Sequence, residues 1–259
     1  MNVNSNSASR RFHILRCAGA LALFLGGSAL LPGIAGPRIA RGEKRFPRIA
    51  RNSGNSVATG LVADKGKFRI LVGGQEVGSE QFEIAPSAGG WLAKGTSEIK
   101  SAQGPAQHIT GSLQLHADGV PNHYEWSTDG AKKASSAIGF ANNTATIELK
   151  LDGMKPFTQT FTFNSPMVVV LDNNLYHQYV VLSHLYDWSK GGAQNFAVLV
   201  PQEMTPGTVT VDALPSSDSG GSKQELRVKT EDNELDLYLD SGKLVRIVAP
   251  AANAEIVRE

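Results

Sequence analysis

The sequence predicts a mainly β (α+β) fold, a curved antiparallel sheet or open half-barrel meander wrapped on one long helix. Three observations carry this. Most of the chain after residue 64 alternates apolar and polar residues with period two. The alternating runs are separated by Gly-Gly, Asp-Gly and Ser-Gly pairs, the chemistry of hairpin turns. One segment, Asp172 to Trp188, has apolar residues at helical spacing instead, with Leu175, Tyr179, Leu182 and Tyr186 stacked on one face. That face must be covered, and a sheet folded over it is the simplest cover.

The organisation expected along the chain is a leader over 1–35, a basic arm over 36–63 and one domain over 64–259. Arg10, Arg11 and Arg16 precede an apolar run, Ala18 to Leu31, that is short for a bilayer span, and Gly33-Ile34-Ala35 offers small residues for cleavage near Ala35. Ser9-Arg10-Arg11 also hints at twin-arginine export, but His13 stands where that pattern takes an apolar residue. Cys17 is the single cysteine, and Arg16 before it breaks a lipobox. A cleaved chain therefore holds no thiol for a disulfide, a thiolate metal site or a cysteine nucleophile. The expected location is the periplasm or the extracellular space.

The arm repeats Pro37-Arg38-Ile39-Ala40-Arg41 as Pro47-Arg48-Ile49-Ala50-Arg51. Its six cations (Arg38, Arg41, Lys44, Arg45, Arg48 and Arg51) face one anion, Glu43, a balance of +5 up to Asn55. From Ser56 onward 16 Lys and Arg meet 23 Asp and Glu, a balance of −7. So few apolar residues build no core. The arm suits an anionic envelope surface, or serves as a solvated spacer. The acidic body makes nucleic acid a poor partner.

Strands are expected in order. Phe68 to Val72 and Glu76 to Ile84 flank Gly73-Gly74, and Trp91 to Lys100 follows. A turn at Asp118-Gly119 sets Leu115 opposite Asn122, Leu113 opposite Tyr124 and Gly111 opposite Trp126, whose ring can cover the bare glycine. Ala134 to Phe140, Ala145 to Leu151 and Phe157 to Phe163 continue the sheet, and Val168-Val169-Val170 favours an extended run. Asp172 is then the expected N-cap of a helix reaching about residue 188, stopped by Gly191-Gly192. Phe196 to Val200, Thr208 to Ala213, Glu225 to Thr230, Glu234 to Leu239 and Lys243 to Val248 complete the meander. A three-residue loop Asp240-Ser241-Gly242 pairs Leu237 with Val245 and Leu235 with Ile247.

No residue cluster forms a catalytic or metal signature, so an enzyme is the least favoured class and no cofactor or metal is expected. His177 and His184 lie two helical turns, roughly 10 Å, apart, too far for one ion, and read as solvent-facing or sheet-bonded. His116, His123 and Glu125 share a wet strand face. Ser183-His184 with Asp187 lacks the nucleophile-elbow pattern. Glu231, Asp232, Glu234 and Asp236 lack the glycine-turned spacing of a calcium loop.

Phe68-Arg69-Ile70-Leu71-Val72-Gly73-Gly74-Gln75-Glu76-Val77-Gly78 and Val170-Leu171-Asp172-Asn173-Asn174-Leu175-Tyr176-His177-Gln178-Tyr179 resemble segments of uncharacterised exported bacterial envelope families. Those families are distantly similar to the outer-membrane lipoprotein carrier and receptor half-barrels. The resemblance implies a curled sheet with a helix in its concavity and room for an acyl chain, and it transfers no functional residue. The expected function is a periplasmic protein that binds or carries an apolar, lipid-like ligand between sheet and helix. Leu113, Tyr124, Trp126, Leu175, Tyr179, Leu182 and Tyr186 would line that pocket or simply fill the core. The alternative is a non-enzymatic envelope module that docks on an envelope protein or surface through the arm or a sheet edge.

Overall fold

From Asp64 onward successive alternating runs fold into hairpins, three of them turning on a pair of residues with positive φ: Gly73-Gly74, Asn142-Asn143 and Ser241-Gly242. In the computed structural model, which describes residues 60–100, 105–130, 133–215, 222–231 and 233–259, the strands are β1 Asp64–Val72, β2 Gln75–Ser87, β3 Gly90–Ile99, β4 Gln107–His116, β5 Pro121–Asp129, β6 Ala134–Ala141, β7 Thr144–Leu151 and β8 Phe157–Thr162. After β9, Val168–Val170, comes the helix α1, His177–Leu185, and then β10 Gln194–Val200, β11 Thr205–Leu214, β12 Lys223–Lys229, β13 Glu234–Asp240, β14 Lys243–Ala249 and β15 Ala254–Arg258. The leader and the arm up to residue 59, Asp232 and most of the loop 215–222 lie outside the described residues.

All fifteen strands form one sheet, ordered β8-β7-β6-β5-β4-β3-β2-β1-β15-β14-β13-β12-β11-β10-β9. The chain lays down one half outward from β1 to the β8 edge, restarts at the opposite edge with β9, and works back until β15 pairs with β1. Only residues 163–167 join the two edge strands, and so short a link spans at most about 22 Å. A flat sheet of this width would hold its edges several times further apart, at about 4.8 Å per strand. The sheet is therefore curled nearly shut, and β9 lies against β5 from the other half.

Gly73-Gly74 (φ 58° and 77°) turns β1 into β2 as the sequence predicts. Two registers differ from expectation. In the β4–β5 hairpin Leu113 faces Tyr124 and Gly111 faces Trp126, but a bulge after Gln114 puts Leu115 opposite Pro121 rather than Asn122. At the β13–β14 turn Ser241 and Gly242 both have positive φ (51° and 77°), making a two-residue loop. With a bulge at Tyr238/Leu239, Leu237 then faces Ile247 instead of Val245. β9 runs parallel to β10, so the sheet is not antiparallel throughout, and β15 was not expected as a strand.

The helix is shorter than its sequence pattern. Asn174 takes φ 62°, which keeps 172–176 out of a helix, so Tyr176 and not Asp172 is the N-cap. At the other end Tyr186 turns extended (ψ 124°), before Gly191-Gly192 is reached. Nor is α1 one-faced: His177, Gln178, Val180 and Val181 are as buried as Tyr179 and Leu182. Leu175 and α1 join one core cluster with both halves of the sheet, from Phe68, Ile84 and Ile109 to Val211, Leu226 and Ile256.

Candidate functional site

A helix that is buried all round must find partners for its first N–H groups, and α1 has no capping side chain of its own. Its cap comes from 96 residues upstream. Glu80, on β2, occupies an inward strand position between Gly78 and Phe82 and is wholly buried. Its Oε2 accepts from the backbone N–H of Tyr176 (2.7 Å) and His177 (3.1 Å), and its Oε1 accepts from His177 Nδ1 at 2.6 Å. The carboxylate thus meets the positive end of the helix and fixes the imidazole with one oxygen each. Gly95 on β3 makes room: a Cβ there would collide with His177 Nδ1 and Glu80 Oε1.

A second carboxyl lies beside the first. Asp172 accepts from the backbone N–H of Gln202 (2.9 Å) and Asn173 (3.2 Å) and from Tyr124 Oη (2.9 Å). Gln178 closes the ring, accepting from the Asp172 N–H and donating to Tyr124 Oη (3.1 Å). Burial pushes the Asp172 carboxyl up to about 7, against the hydrogen bonds from Gln202, Tyr124 and Asn173, which pull it down. Burial, reinforced by the neighbouring Asp172, raises the Tyr124 phenol well above its usual value. Trp126 Nε1 and His177 Nε2 find no hydrogen-bond partner among the described residues. Glu80, His177, Gln178, Tyr124 and Asp172 are each at most 3% exposed, so the chemistry of this hub is that of a fastening between helix and sheet.

Solvent reaches the molecule's interior at the other end of α1. A cleft of about 1040 Å³ is bordered by Ser183, His184 and Leu185 of the helix, the following residues Tyr186 to Lys190, Val62 and Asp64, Phe196 of β10, Leu239 of β13 and Lys243 of β14. Trp188, 39% exposed, packs edge-on to Tyr186 with ring centroids 4.9 Å apart. The Tyr186 hydroxyl donates to the Gly192 carbonyl (2.8 Å), which holds the ring in place. Asp64 is clamped by both terminal nitrogens of Arg258 (2.6 and 2.8 Å). Burial lowers the His184 pKa, with the Asp64 charge pulling the other way. The border mixes the rings of Tyr186, Trp188 and Phe196 with the charged side chains of Asp64, Asp118, Asp187, Lys190 and Lys243.

Of the seven residues expected at a ligand pocket, Leu113, Tyr124, Trp126, Leu175, Tyr179 and Leu182 are buried in the core, and Tyr186 borders the cleft. The atoms nearest the bare side of Gly111 are Leu175 Cδ1 and Tyr124 Oη. The two helix histidines part company: His177 is sheet-bonded through Glu80, whereas His184 borders the cleft. His123 pairs with Glu125 at 3.1 Å on the wet face of β5. Among the described residues no three His, Cys, Asp or Glu side chains gather as metal ligands, and no helix is long and apolar enough to cross a membrane. Sequence reasoning missed Glu80, although a charge on the apolar parity of a strand was a readable signal.

These features define a mainly β, barrel-like fold with a single α-helix among the described residues. Such a fold is shared with a solved structure, that of a β-barrel-like protein of the domain of unknown function DUF1849 from Brucella abortus. The two are 11% identical with a TM-score of 0.51, over 78% of this chain and 97% of that one, a likeness of fold alone. No family model matches the sequence, and no curated protein does.

Proposed function

We propose that this chain is an exported envelope protein whose sheet curls around α1 and whose end cleft takes a lipid-like amphiphile. The cleft itself carries the reading. Its volume lies just above the range for small-molecule sites, roughly 300–1,000 Å³, and its border combines Trp188, Tyr186 and Phe196 with the charged side chains of Lys190, Lys243, Asp64, Asp118 and Asp187. The apolar part of the ligand lies on the aromatic wall and its polar head at the rim. The leader-like N-terminus and the half-barrel resemblance support an envelope setting. The hub between Glu80, His177, Asp172 and Tyr124 keeps the deeper core closed, so the ligand site is the mouth and not the space beneath the helix.

Native mass spectrometry after gentle extraction tests this directly. A bound species of lipid mass is expected, and palmitate added to stripped protein should change the emission of Trp188. The change should vanish in Trp188→Phe, because Trp91 and Trp126 lie away from the cleft. A chain that carries no lipid and takes up none speaks against the reading.

The +5 arm beside a −7 body favours a second role, anchorage to an anionic surface. Deleting residues 36–55 should abolish retention on phosphatidylglycerol vesicles at low salt. Unchanged retention would remove the arm from the account.

A further inference from the structure

An edge strand exposes a row of backbone donors and acceptors, and proteins guard such rows with charge, proline, shortness or cover. The two edges of this sheet differ sharply. β9 is three residues long and buried. β8 is six residues long, carries no charge from Phe157 to Phe163, and has no strand on its outer side among the described residues. Three of the five exposed large apolar side chains, Leu151, Met154 and Phe157, belong to the β7–β8 hairpin. This edge is both unguarded and sticky.

Its sequence says what fits it. Phe157-Thr158-Gln159-Thr160-Phe161 reads the same in both directions. Antiparallel pairing of this strand with its own copy about Gln159 sets Phe157 against Phe161, Thr158 against Thr160 and Gln159 against Gln159. Each is a favourable cross-strand match, and no like charges meet.

The backbone parity agrees. The Phe163 N–H donates to the Asn143 carbonyl at 2.7 Å, in the same register that pairs Phe161 with Ala145 and Gln159 with Ile147. Phe157, Gln159 and Phe161 therefore spend their backbone groups on β7, and those of Thr158, Thr160 and Thr162 point outward. A two-fold axis at Gln159 joins Thr158 to Thr160 twice, giving about four backbone hydrogen bonds, and makes Gln159 a non-hydrogen-bonded pair. Pro156, which has no N–H, limits the run. Phe157, 53% exposed in the single chain, gains the Phe161 ring of the second copy as cover.

We propose that two copies of this chain join edge to edge through β8, antiparallel about Gln159, into one continuous sheet. Light scattering across a concentration series of the full chain tests it, and the weight-average mass should double. Thr160→Pro removes an outward N–H without touching the β7 ladder, so this variant should keep the parent's circular dichroism and melting yet stay monomeric. In a Cys17→Ser background, Gln159→Cys should oxidise to a covalent dimer, since such a pair brings Cα atoms to about 4.5 Å. Thr158→Cys, whose partner is Thr160, should cross-link far less. A monomeric mass at every concentration overturns the proposal, as does a dimer that Thr160→Pro leaves intact or equal cross-linking at both positions.

Discussion

Replacing Glu80 with alanine removes the acceptor for three donors at once: the N–H groups of Tyr176 and His177 and the His177 Nδ1–H. None can turn to water, because Glu80 and His177 are fully buried. A buried donor left without a partner costs about 1–3 kcal/mol. Part of that is offset by no longer burying a carboxylate, so the net loss is set at about 4 kcal/mol, within the range for breaking a buried pair. For a domain of about 200 residues that is a fall in Tm of roughly 8–16 °C. Glu80→Gln separates the two parts of the argument. It keeps a carbonyl oxygen for the helix N–H groups but gives up the charge and faces His177 with an amide, so about 1–2 kcal/mol is expected. Urea unfolding followed by circular dichroism, with both variants beside the parent, reads the difference. If Glu80→Ala falls within about 1 kcal/mol of the parent, or Glu80→Gln costs as much as Glu80→Ala, the carboxylate does not cap α1.

Two further predictions concern the same hub. Asp172 holds its proton in the folded chain up to about pH 7 but loses it in the unfolded chain near its ordinary value of 3.8. Folded protein thus binds the extra proton between these limits, and this group's contribution to stability declines from about pH 4 to 7 and is flat above, by up to roughly 4 kcal/mol. Asp172→Asn should remove that decline, so the stability difference between variant and parent should move in the variant's favour as pH rises from 4 to 8; parallel curves would contradict it. Gly95→Ala should destabilise by about 1–3 kcal/mol, as its methyl has no space beside His177 and Glu80. Gly139→Ala, in the same sheet with nothing near its Cβ direction, should change stability by less than about 0.5 kcal/mol. Equal effects at the two glycines, read by thermal melting, would refute the crowding argument.

The legible parts of the fold were those fixed by local chemistry. Alternation in segments such as Gly111 to Leu115 and Thr144 to Leu149, with the turn at Gly73-Gly74, suffices to place strands; the β13–β14 turn is one residue shorter than the loop expected over Asp240 to Gly242. What local pattern could not supply was anything decided across the sheet. The parallel pairing of β9 with β10 and the closure of β15 on β1 join segments whose own sequences do not mark the match. The helix was misjudged for a related reason. Asn174 broke it through a left-handed φ that periodicity does not register, and the bonding of His177 and Gln178 to the sheet could not be read locally because their partners, Glu80 and Tyr124, lie 97 and 54 residues away. At the candidate site the core residues were found by their apolarity. The cleft, bordered by residues of six different elements and of the turns between them, has no linear signature.

β15 is what gives β1 its second neighbour, through pairs from Phe68–Arg258 to Val72–Ala254. During synthesis, therefore, the first hairpin, complete at Ser87, waits with a bare flank until β15 at Ala254–Arg258 has been made. The strand that heals it is the last of the fifteen described to be made, so the order of manufacture and the order of completion run opposite ways. Such a chain is exposed to mispairing for as long as its tail is missing, and a holding factor or a brisk, uninterrupted passage is what its topology asks of the cell that makes it.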